Sequence, residues 1–250
     1  MVKLRSVCFV IFFYSWLLML ALITFPVLFL PPQYLYRVQV LMSRSMVFLL
    51  RYVVGLRFEI RGQEYFPEGP ALLAMKHQSA WETMVMHGII SKPVFVMKKE
   101  LLRIPIYGRY CKKSGMIPVD RGGAASALRD MVRKARNAIA EGKTIIIFPE
   151  GTRVAPGTKR PYHAGVFGIY KTCDVPAVPV TLNSGTFWPR GHLLQRPGVI
   201  VLEFLPPIEP GLKKKDFMAL LESRIEEASD ALQEAEDGKA QDVSAPRKAA

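Results

Sequence analysis

The residues best suited to chemistry lie in four short blocks in or after short apolar runs. The first, Lys76-His77-Gln78-Ser79-Ala80-Trp81-Glu82, follows Ala71–Met75. A carboxylate in the first turn of the next helix can fold back and accept the imidazole Nδ1–H. Nε2 then keeps a lone pair able to take a proton from a hydroxyl. Ser79 and Glu82 also have the spacing of a capping box, with Ser79 as N-cap and Glu82 three residues on. A carboxylate has two oxygens, so both uses are compatible.

The second, Phe148-Pro149-Glu150-Gly151-Thr152-Arg153, closes the apolar run Thr144–Phe148. Gly151 permits close backbone approach, and Arg153 can grip a phosphate in bidentate fashion. The same hexapeptide also suits a plain loop with one solvated arginine. The third block is Gly115-Met116-Ile117-Pro118-Val119-Asp120-Arg121, where Asp120 and Arg121 could simply pair at the surface. The fourth is Val175-Pro176-Ala177-Val178-Pro179-Val180, a strand whose prolines suit an edge. No Gly-x-Ser-x-Gly elbow is present, and Cys111 and Cys173 stand apart from any histidine in sequence, so nothing points to an acyl-enzyme.

Loops of this kind need strands to hold them. Strands are predicted at 71–75, 94–97, 116–119, 144–148, 177–182 and 199–204. Helices are predicted at 81–90, 124–140, 165–172 and 215–234. This alternation predicts an α/β body over 57–236, with a mixed, largely parallel central sheet flanked by helices. In such sheets ligands bind beyond the carboxyl ends of strands. Residues 237–250 read as a polar, disordered tail.

Taken in chain order, the four blocks resemble those of the 1-acylglycerol-3-phosphate O-acyltransferases, within the wider glycerolipid acyltransferase family. That family carries Asn-His-x-x-x-x-Asp, Gly-x-Ile-x-x-x-Arg, Phe-Pro-Glu-Gly-Thr-Arg and Val-Pro-x-x-Pro. The Phe-Pro-Glu-Gly-Thr-Arg block is complete here over Phe148–Arg153. Glu82 stands where the family usually has Asp, and Lys76 where it has Asn. Tyr162-His163-Ala164-Gly165 stands where it often has Phe-Lys-x-Gly.

The resemblance implies the glycerolipid acyltransferase fold and direct acyl transfer from acyl-CoA or acyl carrier protein to the 2-hydroxyl of 1-acylglycerol 3-phosphate. His77 would be the base, oriented by Glu82. Arg121, Glu150, Gly151, Thr152 and Arg153 would bind substrate, with the two arginines on the phosphate. No cofactor and no metal are expected. Another lyso-lipid, such as a lyso-ornithine lipid or a lysophospholipid, is the alternative acceptor. Lys98 and Lys99 could line the site or form a solvated basic face.

The remaining sequence predicts where this body works. Of 250 residues, 34 are Lys or Arg and 21 Asp or Glu, a formal net charge of +13, so an acidic partner is expected. No recognisable nucleic-acid module is present, and the basic residues are not interleaved with aromatics as in a stacking platform. Three cysteines without metal-ligand spacing fit a reducing compartment.

Val7–Leu30 is free of charge and longer than a signal-peptide core. It ends at Pro31-Pro32, and a second helix is predicted at about 34–54. There Arg37, Arg44 and Arg51 recur every seventh residue, a basic stripe suited to anionic headgroups. Residues 1–56 therefore read as a two-helix membrane anchor. The acid-free start, with Glu59 the first acidic residue, leaves spanning and dipping both open. The expected location is the cytoplasmic face of a bacterial inner membrane.

Overall fold

The structure is a computed structural model and describes residues 2–120, 122, 124–191 and 194–244. In chain order the elements are α1 (Val2–Ile23), α2 (Pro32–Leu49), β1 (Leu56–Arg61), β2 (Leu72–Met75), α3 (Trp81–Ile89), β3 (Pro93–Lys98), α4 (Tyr107–Lys113) and β4 (Ile117–Val119). There follow α5 (Ala124–Ala140), β5 (Thr144–Ile147), α6 (Gly165–Cys173), β6 (Ala177–Leu182), α7 (Ser184–Phe187), β7 (Gly198–Phe204) and α8 (Lys214–Ser244).

The seven strands form one sheet in the order β1-β7-β6-β2-β5-β3-β4. All neighbours run parallel except β6 and β7. The sheet is thus mixed and largely parallel, as the sequence predicts. β2 lies in the middle, between β6 and β5. All four of its residues are buried, and they alternate between the two layers, as the strand period demands. Leu73 and Met75 join an apolar cluster with α1, α2 and α3, while Leu72 and Ala74 join one with α5, α6 and α8.

Four elements differ from expectation. β1 escapes a hydrophobicity scan because Arg57, Glu59 and Arg61 alternate with apolar residues on a sheet edge. The short helices α4 and α7 are too brief to show a helical period. The last helix runs on through Asp237 to Ser244, where the sequence predicts a tail; Lys239, Ala240 and Gln241 are strong helix formers. Residues 245–250 of that tail lie outside the described residues.

Among the described residues one helix, Lys3–Ile23, is long and apolar enough to cross a membrane. One face of it packs on the body. Phe9 and Phe13 are buried and meet Trp188 edge-on, at 5.5 and 6.2 Å between centroids. Ser6 Oγ donates to the Gln195 carbonyl, and Thr24 Oγ1 lies 2.9 Å from the Tyr110 hydroxyl. The other face exposes Leu4, Val7, Ile11, Phe12, Leu18 and Leu22. α2 continues as a π-helical turn over Leu50–Val54 and closes at Gly55 in the left-handed region. Its exposed surface carries Tyr34, Leu41 and Phe48 beside Arg37, Arg44 and Arg51.

Candidate active site

The loop that carries His77 begins where β2 ends. The Lys76 amide extends the ladder to Val180 of β6, after which the chain leaves the sheet. The His77 amide donates to Glu150 Oε2 at 3.0 Å, and the His77 carbonyl accepts from Val154 N at 2.7 Å. The loops after β2 and β5 therefore fix each other. The imidazole stacks on Phe148 at 3.9 Å between centroids and is 15 % exposed.

Glu82, in the first turn of α3, is 0 % exposed. Its Oε1 lies 2.9 Å from His77 Nδ1 and accepts the amides of Gln78 and Ser79 at 2.8 and 2.7 Å. Its Oε2 accepts from Ser184 Oγ at 2.9 Å. The imidazole and the Ser79 amide thus share one oxygen and the second belongs to Ser184, while the N-cap of α3 is Ala80, without a side-chain cap bond, instead of the expected Ser79, whose hydroxyl accepts from the Trp81 amide. An ionised carboxylate only accepts hydrogen bonds, so the proton of His77 sits on Nδ1 and Nε2 is the basic nitrogen. Nε2 has no partner among the described residues, and His77 lines a cavity of about 920 Å³.

At one end of that cavity lie Gly151, Thr152, Arg153 and His163, together with Arg190 from the loop after α7. Arg190 Nη1 donates to Thr152 Oγ1 at 3.2 Å and to the Arg153 carbonyl at 3.4 Å. Among the described residues neither guanidinium forms an ion pair. The cavity is also lined by Leu17 and Ala21 of α1, Leu35 and Met42 of α2, Met84 and Met97. Its size falls in the range of about 300–1,000 Å³ common for ligand pockets. His87 also lines this apolar part, and burial pushes its imidazole down to about 4, so it is neutral at physiological pH.

The expected site residues fall into three groups. His77, Gly151, Thr152 and Arg153 come together on the cavity. Glu82 and Glu150 sit beneath it. Glu150 is 2 % exposed and turns inward, holding the His77 amide and facing Lys76 Nζ at 2.9 Å, so it braces the loop rather than facing substrate. The Gly151 residue takes φ +66, and its amide closes a turn on the Phe148 carbonyl. Arg121 lies outside the described residues. Its neighbour Asp120 accepts from the Gly122 amide and faces Lys99 Nζ at 3.3 Å, which together hold its carboxyl below the usual range. Lys98 lines the cavity.

Sequence reasoning missed Ser184 and Arg190. The available signal was topological: both follow β6, a neighbour of β2, at the end of the sheet where the catalytic loops converge. Among the described residues no group of three or more His, Cys, Asp or Glu could hold a metal ion.

Comparison with known proteins agrees with this geometry. Residues 57–183 match the Acyltransferase family model. The chain is 31 % identical over 183 residues to a 1-acyl-sn-glycerol-3-phosphate acyltransferase of Pseudomonas aeruginosa, covering 73 % of this chain and 71 % of that one. It is 30 % identical over 213 residues to 1-acyl-sn-glycerol-3-phosphate acyltransferase alpha of Bos taurus, covering 84 % and 74 %. The crystal structure of the 1-acyl-sn-glycerophosphate acyltransferase PlsC from Thermotoga maritima shares the fold, with a TM-score of 0.77 at 21 % identity, over 93 % of this chain and 98 % of that one. A family match across the catalytic loops, relatives alike over most of their length and a shared fold lead to one conclusion: the chain belongs to the acyltransferase family.

Proposed function

We propose that the protein transfers a fatty acyl group from an acyl thioester to the 2-hydroxyl of 1-acylglycerol 3-phosphate, giving phosphatidic acid. The observation that carries this reading is the bond between His77 Nδ1 and Glu82 Oε1, which leaves Nε2 basic on a cavity rimmed by Arg153 and Arg190. Relatives named for this reaction support the choice of acceptor.

His77 Nε2 takes the proton of the acceptor hydroxyl as its oxygen attacks the thioester carbonyl carbon. The tetrahedral intermediate collapses, the carbon–sulfur bond breaks, and the imidazolium returns the proton to the leaving thiolate. The products are the new ester and the free thiol of coenzyme A or acyl carrier protein. General-base help of this type contributes roughly 10²–10⁴-fold. The acceptor phosphate binds Arg153 and Arg190, with Arg121 as a further cation, which holds the hydroxyl near Nε2. The apolar part of the cavity takes acyl chain.

The location proposed is the cytoplasmic face of a bacterial inner membrane, where both thioester donors reside. α1 packs on the body from Ser6 to Thr24 and shows lipid-compatible residues only on its far side, which favours a helix lying in one leaflet over one that spans. Arg37, Arg44 and Arg51 then meet anionic headgroups, each contributing about 1 kcal/mol near the surface.

The test is a panel of lyso-lipids assayed with acyl-CoA and with acyl carrier protein thioester. 1-Acylglycerol 3-phosphate is expected to be acylated with the highest kcat/KM. A higher value for lyso-ornithine lipid or lysophosphatidylcholine would replace the proposed acceptor.

A further inference from the structure

The second oxygen of Glu82 is held by a residue outside the recognised blocks. Ser184 Oγ donates to Glu82 Oε2 at 2.9 Å, and both residues are 0 % exposed. We propose that Ser184 is a positioning residue for the reaction: it locks the rotation of the Glu82 carboxylate so that Oε1 stays on His77 Nδ1. The inference rests on the dyad reading above and extends it to the connection between β6 and β7.

A carboxylate turns easily about its last carbon–carbon bond. Three donors crowd Oε1: the imidazole and the amides of Gln78 and Ser79. Without Ser184, Oε2 would be buried with no donor in reach, a costly state. The group relieves it by turning so that both oxygens share the two amides. Oε1 then leaves the line to Nδ1, and the imidazole loses the contact that sets its tautomer and angle. Misplacement of a catalytic group by about 1 Å can cost about 10²-fold.

Ser184 itself is well fixed. The Gly185 amide donates to Gln78 Oε1 at 3.0 Å, tying α7 directly to the catalytic loop. The fit is tight: a Cβ on Gly185 would lie 3.0 Å from Gln78 Cβ. The Trp188 amide bonds the Ser184 carbonyl at 2.8 Å, and Asn183 Oδ1 accepts the Val201 amide of β7 at 2.8 Å. The hydroxyl is therefore presented by a braced turn. A group held this way positions its partner instead of following it.

The test is a double-mutant cycle on the full chain, reading kcat and KM for both substrates. Ser184→Ala is expected to lower kcat about tenfold to hundredfold, with both KM values within about twofold of the parent. Ser184→Cys keeps a small side chain with a weak donor and should fall between the two. In a Glu82→Gln background, Ser184→Ala should change kcat by less than about twofold, because the group it acts through is already altered. Parent-like kcat in folded Ser184→Ala overturns the proposal. So does the same fractional loss in both backgrounds. If the Ala variant does not fold, the Cys variant carries the cycle with the same criteria. Glu82→Gln with parent kcat would sink the dyad and this inference together. A Glu82→Gln loss beside an active Ser184→Ala removes only the role of Ser184.

Discussion

Replacing Lys76 by Asn, the residue usual in the family, should damage this chain instead of restoring an ancestral arrangement. Lys76 is 1 % exposed, and its Nζ donates to both oxygens of Glu226 on α8, at 2.6 and 2.7 Å. It also lies 2.9 Å from Glu150 Oε1, a contact poorly aligned for a hydrogen bond and therefore mainly Coulombic. Tyr162 adds its hydroxyl to Glu226 Oε1 at 2.8 Å. One cation thus serves two buried carboxylates, and an asparagine would leave both without it. Breaking a buried pair by removing one partner costs about 3–5 kcal/mol. For a chain of this size each kcal/mol shifts the melting temperature by about 2–4 °C, so Lys76→Asn should melt roughly 6–20 °C lower.

Glu226→Gln should be milder, because Lys76 then keeps Glu150; a loss of about 1–3 kcal/mol follows from the altered hydrogen bonds. The double variant should lose less than the sum of the two. The pH dependence has a definite sign. Burial pushes the Glu150 carboxyl up, and Lys76 pulls it back down. Without the lysine its folded value rises further above the unfolded one. The penalty for an ionised buried carboxylate is then present above the folded value and is lost as pH falls toward the unfolded one. The deficit of Lys76→Asn should therefore narrow as pH falls from neutral toward the ordinary carboxylate range. Thermal unfolding of detergent-solubilised protein across that range is the assay. A Lys76→Asn variant melting within about 2 °C of the parent at neutral pH would refute the reasoning. So would a pH-independent deficit, or greater damage from Glu226→Gln.

Three further outcomes are expected. His77→Ala should lose about 10²–10⁴-fold in kcat while the chain still folds, since Glu82 keeps its donors from Gln78, Ser79 and Ser184; parent turnover would remove His77 as base. Arg153→Ala and Arg190→Ala should each raise KM for the phosphorylated acceptor about tenfold or more, with little change for the thioester; equal effects on both would assign these arginines to the donor or to the fold. Serine at Ile11, Phe12, Leu18 and Leu22 together should release folded protein from vesicles, whereas retention after a carbonate wash would show that the outer face of α1 is not the anchor.

The parts of the fold legible in the sequence were those with a strong local period. Buried strands such as Thr144–Ile147 announced themselves as apolar runs, and the amphipathic α5 by its polar and apolar faces. β1 did not, because an edge strand alternates charge with hydrophobicity and resembles a loop. At the site, motif order gave the neighbours of His77 but not their directions. Glu150 and Arg153 are three residues apart, and the turn at Gly151 sends one inward to Lys76 and the other to the cavity. Ser184 and Arg190 carry no motif; only the placement of β6 beside β2 brings Ser184 to Glu82 and Arg190 to the cavity beside Thr152. The Lys76 departure from Asn likewise makes sense only with Glu226, which is distant in sequence and adjacent in space.

α1 and α2 present an apolar face outward and supply one wall of the cavity through Leu17, Ala21, Leu35 and Met42. Acceptor drawn from the lipid layer can slide its chain along that wall without passing through water. On the proposed membrane location, reaction rate should follow the mole fraction of lyso-lipid in the plane of the membrane, not its bulk concentration. Diluting the acceptor with inert lipid at constant total acceptor should slow turnover, while adding buffer to the same vesicles should leave it unchanged.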